Sequence, residues 1–210
     1  MKNDAVMNGK KVSIRPTLLI SLMGSLDDVH KVCTTDFLKS GDLVILLGET
    51  RSELAGTIAE KISGRSLPGV PSVFPQRVLP YYKALSRAVQ KGLVQSAHDL
   101  SDGGLAVALA ESVIGGRLGV LVSLDEIPGF LRTQSSDTEI LFSETPSRFL
   151  LTVSPSHLQE FQKLLGTAPM AILGAVTEEP RLVVESRGKP VLRVELDELL
   201  KAWNTLAGLV

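Results

Sequence analysis

The pattern of apolar and polar positions along the chain predicts short strands interspersed with amphipathic helices. Continuous apolar runs, typical of strands buried on both faces, occupy residues 17–23 and 43–47, and each ends at a glycine. Apolar residues three and four positions apart predict a helix over residues 78–94. A stretch that is apolar nearly all round predicts a helix over residues 104–114 that is covered on several sides.

The rest of the chain continues this mixture. Further strands are predicted at residues 95–98, 118–124, 148–153, 170–176, 181–185 and 190–194, and further helices at residues 52–60, 155–165 and 196–206. Turn-forming residues predict hairpins at residues 8–11 and 186–189, and a Gly/Pro/Ser-rich loop spans residues 64–75. Strands mixed with helices and hairpins indicate an α+β domain with a mixed sheet.

Composition excludes several classes of function. The 210 residues carry 22 basic and 23 acidic side chains and few aromatic ones, so we expect no nucleic-acid partner. Cys33 is the only cysteine, which excludes an internal disulfide framework and favours a small buried apolar role. The apolar runs are too short to span a bilayer, and residues 1–4 lack an apolar signal core. We therefore expect no membrane partner and a cytoplasmic location.

The strongest candidate for chemistry is the sequence SAHDLSDGGL at residues 96–105, where a strand leads into the buried helix. The residues predicted to act here are His98, Asp99, Asp102, Gly103 and Gly104. Glycines leave backbone N–H groups bare at the positive end of a helix, where a phosphate can bind. Asp99, a few residues earlier, can supply a hard oxygen ligand to the accompanying magnesium ion. The alternative is structural: Ser101 or Asp102 only caps the helix, the glycines permit close packing, and His98 is a satisfied core residue.

A second motif, LFSETPSRF at residues 141–149, places Ser143, Glu144 and Arg148 in and behind a polar turn before a strand. These three side chains can hydrogen-bond the hydroxyl or phosphate groups of a nucleotide, with the permanently charged Arg148 as the anion clamp. The alternative, favoured by the residues alone, is a turn with a surface ion pair between Glu144 and Arg148.

A third polar segment follows the strand at residues 43–47. Residues 48–53 lack the spaced glycines of a phosphate loop. They are interpreted as the start of a helix capped by Thr50 or Ser52.

Taken together, the segments LGETRSEL (47–54), SAHDLSDGGLAVALAE (96–111) and LFSETPSRF (141–149) resemble the C-terminal part of the phosphoribosylformylglycinamidine synthase family. The wider superfamily includes aminoimidazole ribonucleotide synthetase. The resemblance implies a layered α/β/α sandwich around a mixed sheet. It also implies that residues 1–26 are the tail and last strand of a preceding N-terminal superfamily domain, and that residues 27–210 form the C-terminal superfamily domain.

The resemblance also implies a function. The family makes an amidine from formylglycinamide ribonucleotide, ATP and glutamine-derived ammonia, in purine biosynthesis. The implied cofactors are ATP or ADP and Mg²⁺. The implied partners are the missing N-terminal half of the synthase, a glutaminase subunit or domain and a phosphorylated nucleotide. In the family's first half, the counterpart of Asp99 binds magnesium and the counterpart of residues 144–146 contacts the substrate.

Here those positions fall in the second half, which in some members holds a structural nucleotide. The catalytic groups belong mainly to the first half, so the isolated chain is expected to be inactive and to self-associate. Residues 55–58 (AGTI) depart from the family's usual Gly-Gly-Ser-Glu run. The alternative function is a free-standing, non-catalytic module that binds a nucleotide or a protein.

Overall fold

The computed structural model describes residues 4–13, 19–26, 28–127 and 135–207. They fall into two compact units, Met1–His30 and Lys31–Val210. In the first unit, β1 (Asp4–Met7) and β2 (Lys10–Ser13) form an antiparallel hairpin. Asn8 and Gly9, both with positive φ, make the turn, as the sequence predicts.

One strand prediction in this unit is wrong. Residues 19–23, the described part of the apolar run 17–23, form no strand. Leu22 and Met23 are 92% and 99% exposed. An apolar run becomes a buried strand only where neighbouring strands cover it, and residues 19–26 pair with none. Residues 17 and 18 lie outside the described residues.

The second unit is built on a seven-stranded mixed sheet in the order β4-β6-β3-β7-β5-β8-β9. Its strands are β3 (Leu43–Leu47), β4 (Ser96–Asp99), β5 (Gly119–Ser123), β6 (Phe149–Val153), β7 (Met170–Thr177), β8 (Arg181–Ser186) and β9 (Lys189–Glu195). All neighbouring pairs are antiparallel except β5 and β8, which run parallel. This confirms the predicted α+β fold.

Helices cover the sheet on both faces. The helices of this unit are α1 (Ile58–Ser63), which contains no buried residue, α2 (Pro75–Gln90), α3 (Gly104–Gly116), α4 (Asp137–Phe142), α5 (Leu158–Leu165) and α6 (Leu196–Ala207). Val44 and Leu46 of β3 face a core shared with α3, α4 and α6. Ile45 and Leu47 alternate with them and face a second core with α2 and α5. A strand buried on both faces explains the unbroken apolar run at residues 43–47.

One helix prediction needs correction, and one helix is absent from the predictions. The helix predicted over residues 52–60 begins only at Ile58, and its N-cap is Thr57, not Thr50 or Ser52. Residues 54 and 55 instead donate backbone hydrogen bonds to Pro68 and Gly69, which holds this segment as a loop. Helix α4 was not predicted, although Ser136 and Glu139 form a capping box that marks its start. No helix of the described residues is long and apolar enough to cross a membrane.

Candidate functional site

The first predicted motif lies where β4 ends and α3 begins. Asp99 is the last residue of β4, which pairs with β6. Gly103 and Gly104 follow with φ of +78° and +64°, a left-handed conformation that glycine adopts without strain. A Cβ atom at Gly104 would overlap the carbonyl oxygen of Ser143. The glycines therefore allow the loop after α4 to approach the start of α3 closely.

This approach brings the two predicted motifs together. Glu144 lies in the loop between α4 and β6, and its Oε1 accepts hydrogen bonds from the backbone N–H of Gly103 at 2.8 Å and of Ile58 at 3.0 Å. The N–H of Gly104 donates to the carbonyl oxygen of Ser101. The expectation of bare donors is therefore not met, because a carboxylate of the chain itself takes the place predicted for a phosphate.

The helix-cap alternative is also wrong. The N-cap of α3 is Gly103, which makes no side-chain cap hydrogen bond, and neither Ser101 nor Asp102 caps the helix. The negative group at the positive end of α3 comes from Glu144, a residue distant in sequence.

Arg148 is neither an anion clamp nor a member of a surface ion pair. Its side chain is 1% exposed. Its guanidinium donates to the carbonyl oxygens of Thr145 and Ser143, at 2.9 and 2.5 Å, and to Oγ1 of Thr50 at 3.2 Å. Burial lowers the pKa of Arg148 to about 10, and the negative charge of Glu53 partly offsets this. The guanidinium thus holds the 143–148 loop to the segment after β3, and its burial keeps it out of reach of a ligand in solution.

Ser143 is likewise used inside the protein. Its hydroxyl donates to the carbonyl oxygen of Arg51 at 2.5 Å and shares a 2.9 Å hydrogen bond with the hydroxyl of Thr145. The backbone N–H of Arg51 donates to the same Thr145 hydroxyl at 3.1 Å. Both hydroxyl groups are fully buried. The loop after β3 and the loop after α4 are therefore joined by one satisfied polar network.

The acidic side of the first motif stays accessible. Asp99 is 68% exposed; its Oδ2 accepts from the Ser101 hydroxyl at 2.9 Å, and its Oδ1 lies 3.6 Å from Nδ1 of His98. His98 is 14% exposed, and its Nε2 lies 2.8 Å from Oε2 of Glu111. Asp102 is exposed as well. We call His98, Asp99 and Asp102 the acidic edge; these residues adjoin Gly103, where Glu144 is bound.

Magnesium fits this edge only in part. Among the described residues, no group of three or more His, Cys, Asp or Glu side chains is placed to hold a metal ion. Magnesium is commonly held by one or two carboxylates with water and phosphate oxygens completing the shell. Asp99 can therefore serve as one ligand, with water and phosphate oxygens as the others.

The sequence interpretation missed one polar cavity near these loops. It is lined by Glu49, Arg51, Phe74, Arg77 and Tyr81, together with neighbouring loop residues. Two signals pointed to it: the polar turn at 48–53, interpreted as a helix start, and the Gly/Pro/Ser-rich loop at 64–75. The sequence alone does not show that these two segments lie side by side in the fold.

Comparison with known proteins agrees with this architecture. A curated relative, phosphoribosylformylglycinamidine synthase subunit PurL of Alkaliphilus metalliredigens, is 35% identical over 198 residues, or 93% of this chain and 26% of the relative. The PurL subunit of Cutibacterium acnes is 39% identical over 199 residues, covering 91% of this chain and 24% of the relative. The chain spans about a quarter of the length of these relatives.

Solved structures give the same family. Thermotoga maritima PurL complexed with FGAR matches with a TM-score of 0.71 and 25% identity, covering 81% of this chain and 30% of that one. The same protein complexed with ATP matches with a TM-score of 0.65 and 25% identity, covering 81% of this chain and 27% of that one.

The family model described as "AIR synthase related protein, C-terminal domain" matches residues 39–187, which is more than half of the chain. The chain belongs to the AIR synthase related protein C-terminal domain family.

Proposed function

We propose that this chain is one domain of an ATP-dependent phosphoribosylformylglycinamidine synthase of purine biosynthesis. The observation that supports this most directly is the 35–39% identity to PurL subunits over more than 90% of the chain. The reaction proposed for the whole protein converts formylglycinamide ribonucleotide, ATP and glutamine-derived ammonia to the amidine. Its proposed setting is the cytoplasm, with a glutaminase subunit or domain as the ammonia source.

The isolated chain is proposed to be catalytically incomplete. It spans about a quarter of the length of its relatives. Glu144 and Arg148, two residues expected to face a ligand, are bonded within the domain instead. Such a domain contributes part of the wall of a larger site and a few exposed binding side chains. It does not contain a complete set of catalytic groups.

The proposed contribution to nucleotide binding is the acidic edge. Thermotoga maritima PurL has been solved with ATP and with ADP. We assign Asp99 as the magnesium ligand of a nucleotide bound here, with Asp102 and His98 beside it. A bound magnesium ion would neutralise phosphate charge next to these acidic residues.

The proposed partner is the remainder of the synthase. Four apolar side chains are each at least 70% exposed: Leu19, Ile20, Leu22 and Met23. We propose that residues 1–26 belong to a preceding domain, and the rest of that domain would cover these side chains. Size-exclusion chromatography of the isolated chain should show concentration-dependent self-association through this segment. A monodisperse monomer would favour the alternative, a free-standing binding module.

A chimeric enzyme tests the proposed function. The segment of Thermotoga maritima PurL that matches this chain would be replaced by the chain itself, and amidine formation from formylglycinamide ribonucleotide, ATP and ammonia would be measured. Activity is expected in the chimera and absent from the chain alone. A chimera carrying Leu109→Asp, which puts a charge in the core, should lose activity. Turnover by the isolated chain, or a folded but inactive chimera, would contradict the proposal.

A further inference from the structure

Two arginine side chains converge on one carboxylate oxygen in the lining of the cavity beside α2. Oε2 of Glu49 lies 3.5 Å from Nη1 of Arg51 and 3.9 Å from Nη1 of Arg77. Charge-assisted N–H···O hydrogen bonds are normally about 2.7–2.9 Å long. Glu49 is 49% exposed, so its carboxylate is a loosely held anion between two cations.

The two guanidinium groups are held in place by other contacts. Both lie over the ring of Phe74, with Cζ 5.2 Å from the ring centroid for Arg51 and 5.3 Å for Arg77. Glu53 accepts from Nε and Nη2 of Arg51, each at 3.1 Å, and Nη2 also donates to the carbonyl oxygen of Ser72. Nη1 of Arg51 is thus the nitrogen directed at Glu49.

The surroundings also favour an anion. The cavity has a volume of about 50 Å³, which is more than one water molecule needs. Phe74 is the N-cap of the 16-residue helix α2, which has no side-chain cap and no acidic residue in its first turn. Tyr81 also lines the cavity and is held in place by its hydroxyl, which donates to the carbonyl oxygen of Ser147 at 2.8 Å.

We propose that Arg51 and Arg77 bind the phosphate group of a small ligand in this cavity, in the position that the Glu49 carboxylate now occupies. A phosphate has three oxygens to offer, so it can satisfy both guanidinium groups at normal hydrogen-bond length, which one carboxylate oxygen does not. The cavity lining contains neither Asp99 nor Glu144, although it includes Pro146 and Ser147 from the loop that carries Glu144.

Isothermal titration of the full chain with AMP, inorganic phosphate and adenosine tests the site. EDTA is present throughout, so that the reading is independent of the proposed magnesium ligand. Phosphate-bearing probes should bind with Kd below about 1 mM, and adenosine should not bind. Tighter binding of AMP than of inorganic phosphate assigns a phosphate ester as the ligand, and the reverse order assigns free phosphate.

Three variants locate the binding. Arg77→Gln, at an exposed position, should weaken AMP binding at least about ten-fold while leaving the fold intact. Glu49→Gln should tighten binding several-fold, because it removes the competing carboxylate. Arg87→Gln, further along the same helix and outside the cavity, is the matched control and should change nothing. No binding by the wild type, or equal binding by Arg77→Gln and Arg87→Gln, would overturn the proposal.

Discussion

The Glu144 carboxylate lies 2.8 Å from the backbone nitrogen of Gly103 and accepts its hydrogen bond at the first turn of α3. A negative group at the positive end of a helix is favourable, and here it also receives the N–H of Ile58 at the start of α1. One side chain therefore satisfies donors from two helices. The two motifs that the sequence offers as separate ligand-binding elements form a single internal contact.

Removing this contact should destabilise the domain. Glu144→Ala leaves two backbone donors without an acceptor, and we expect the free energy of unfolding to fall by about 1–3 kcal/mol. Urea denaturation followed by circular dichroism measures the change. Glu160→Ala is the control, because Glu160 pairs with Lys91 on the exposed surface, and its unfolding midpoint should stay close to that of the wild type. Equal midpoints for all three proteins would show that the contact is not stabilising.

Replacing Arg148 by lysine tests the buried clamp. Lysine keeps the charge, but its three donors sit on one nitrogen and cannot reach the separate acceptors of Nε, Nη1 and Nη2, so carbonyl oxygens of the 143–148 loop lose their partners. We expect Arg148→Lys to lower the free energy of unfolding by about 2 kcal/mol or more. Arg87→Lys, at an exposed position of α2, should stay within about 0.5 kcal/mol of the wild type. A similar small effect at Arg148 would mean that the guanidinium geometry is unimportant.

Alanine substitutions at two glycines with similar φ angles distinguish backbone strain from the effect of close packing. Gly104 and Gly56 have φ of +64° and +77°, so alanine at either position costs about 1–2 kcal/mol of backbone strain. Only at Gly104 would the new Cβ atom also overlap a backbone oxygen, that of Ser143, while nothing lies within 4 Å at Gly56. Thermal denaturation should therefore show a clearly larger loss for Gly104→Ala than for Gly56→Ala. Equal losses would argue against a tight approach of the two loops.

Asp42 makes stability depend on pH in a predictable direction. Its side chain is buried, and its Oδ2 has no hydrogen-bond partner among the residues that the structure describes. Burial raises the pKa of the Asp42 carboxyl above its ordinary value of 3.8, and the charges of Lys39 and His157 offset this only in part. The folded protein thus binds this proton more tightly than the unfolded chain does. The stability that Asp42 contributes is complete below pH 3.8 and is lost as the pH rises through the folded pKa.

The variant Asp42→Asn stays neutral at every pH and should escape this loss. We expect the difference in unfolding free energy between the variant and the wild type to shift in favour of the variant as the pH rises from 4 to 7. Denaturant titrations of both proteins across that range measure it. A difference that is constant with pH would show that Asp42 does not titrate with a raised pKa.

Asp99 is the residue on which the proposed magnesium role depends. Asp99→Asn should abolish metal-dependent nucleotide binding in a calorimetric titration with Mg²⁺ and ADP. The fold should be unchanged, since the side chain is exposed and its hydrogen bond from Ser101 is local. Asp102→Asn, three residues further on, serves for comparison and should weaken binding less. Unchanged binding by Asp99→Asn would leave Asp99 with no part in metal binding.

Local sequence accounts for much of the fold. The turn between β8 and β9 has Arg187 and Gly188 with φ of +51° and +69°, the arrangement that the hairpin signal at residues 186–189 predicts. Residues 43–47 form a strand because all five are apolar and both faces find a core. In these cases the decisive interactions lie close in sequence or follow directly from hydrophobic patterning.

The candidate site was predicted less well because its contacts join distant parts of the chain. Glu144 and Gly103 are 41 residues apart, and Arg148 reaches Thr50 across 98 residues. Sequence reasoning identified the polar residues and their motifs. It could not show that these residues satisfy one another, since that depends on how the loops after β3 and α4 pack together.

The position of β3 in the sheet has a consequence for synthesis on the ribosome. Its partners β6 and β7 begin about 100 residues or more after it in the chain, so β3 cannot complete its strand pairing until both have been synthesised. Until then Leu43–Leu47, an uncharged run with high strand propensity, stays unpaired in the nascent chain. A chaperone that holds the emerging polypeptide would therefore protect this segment during synthesis.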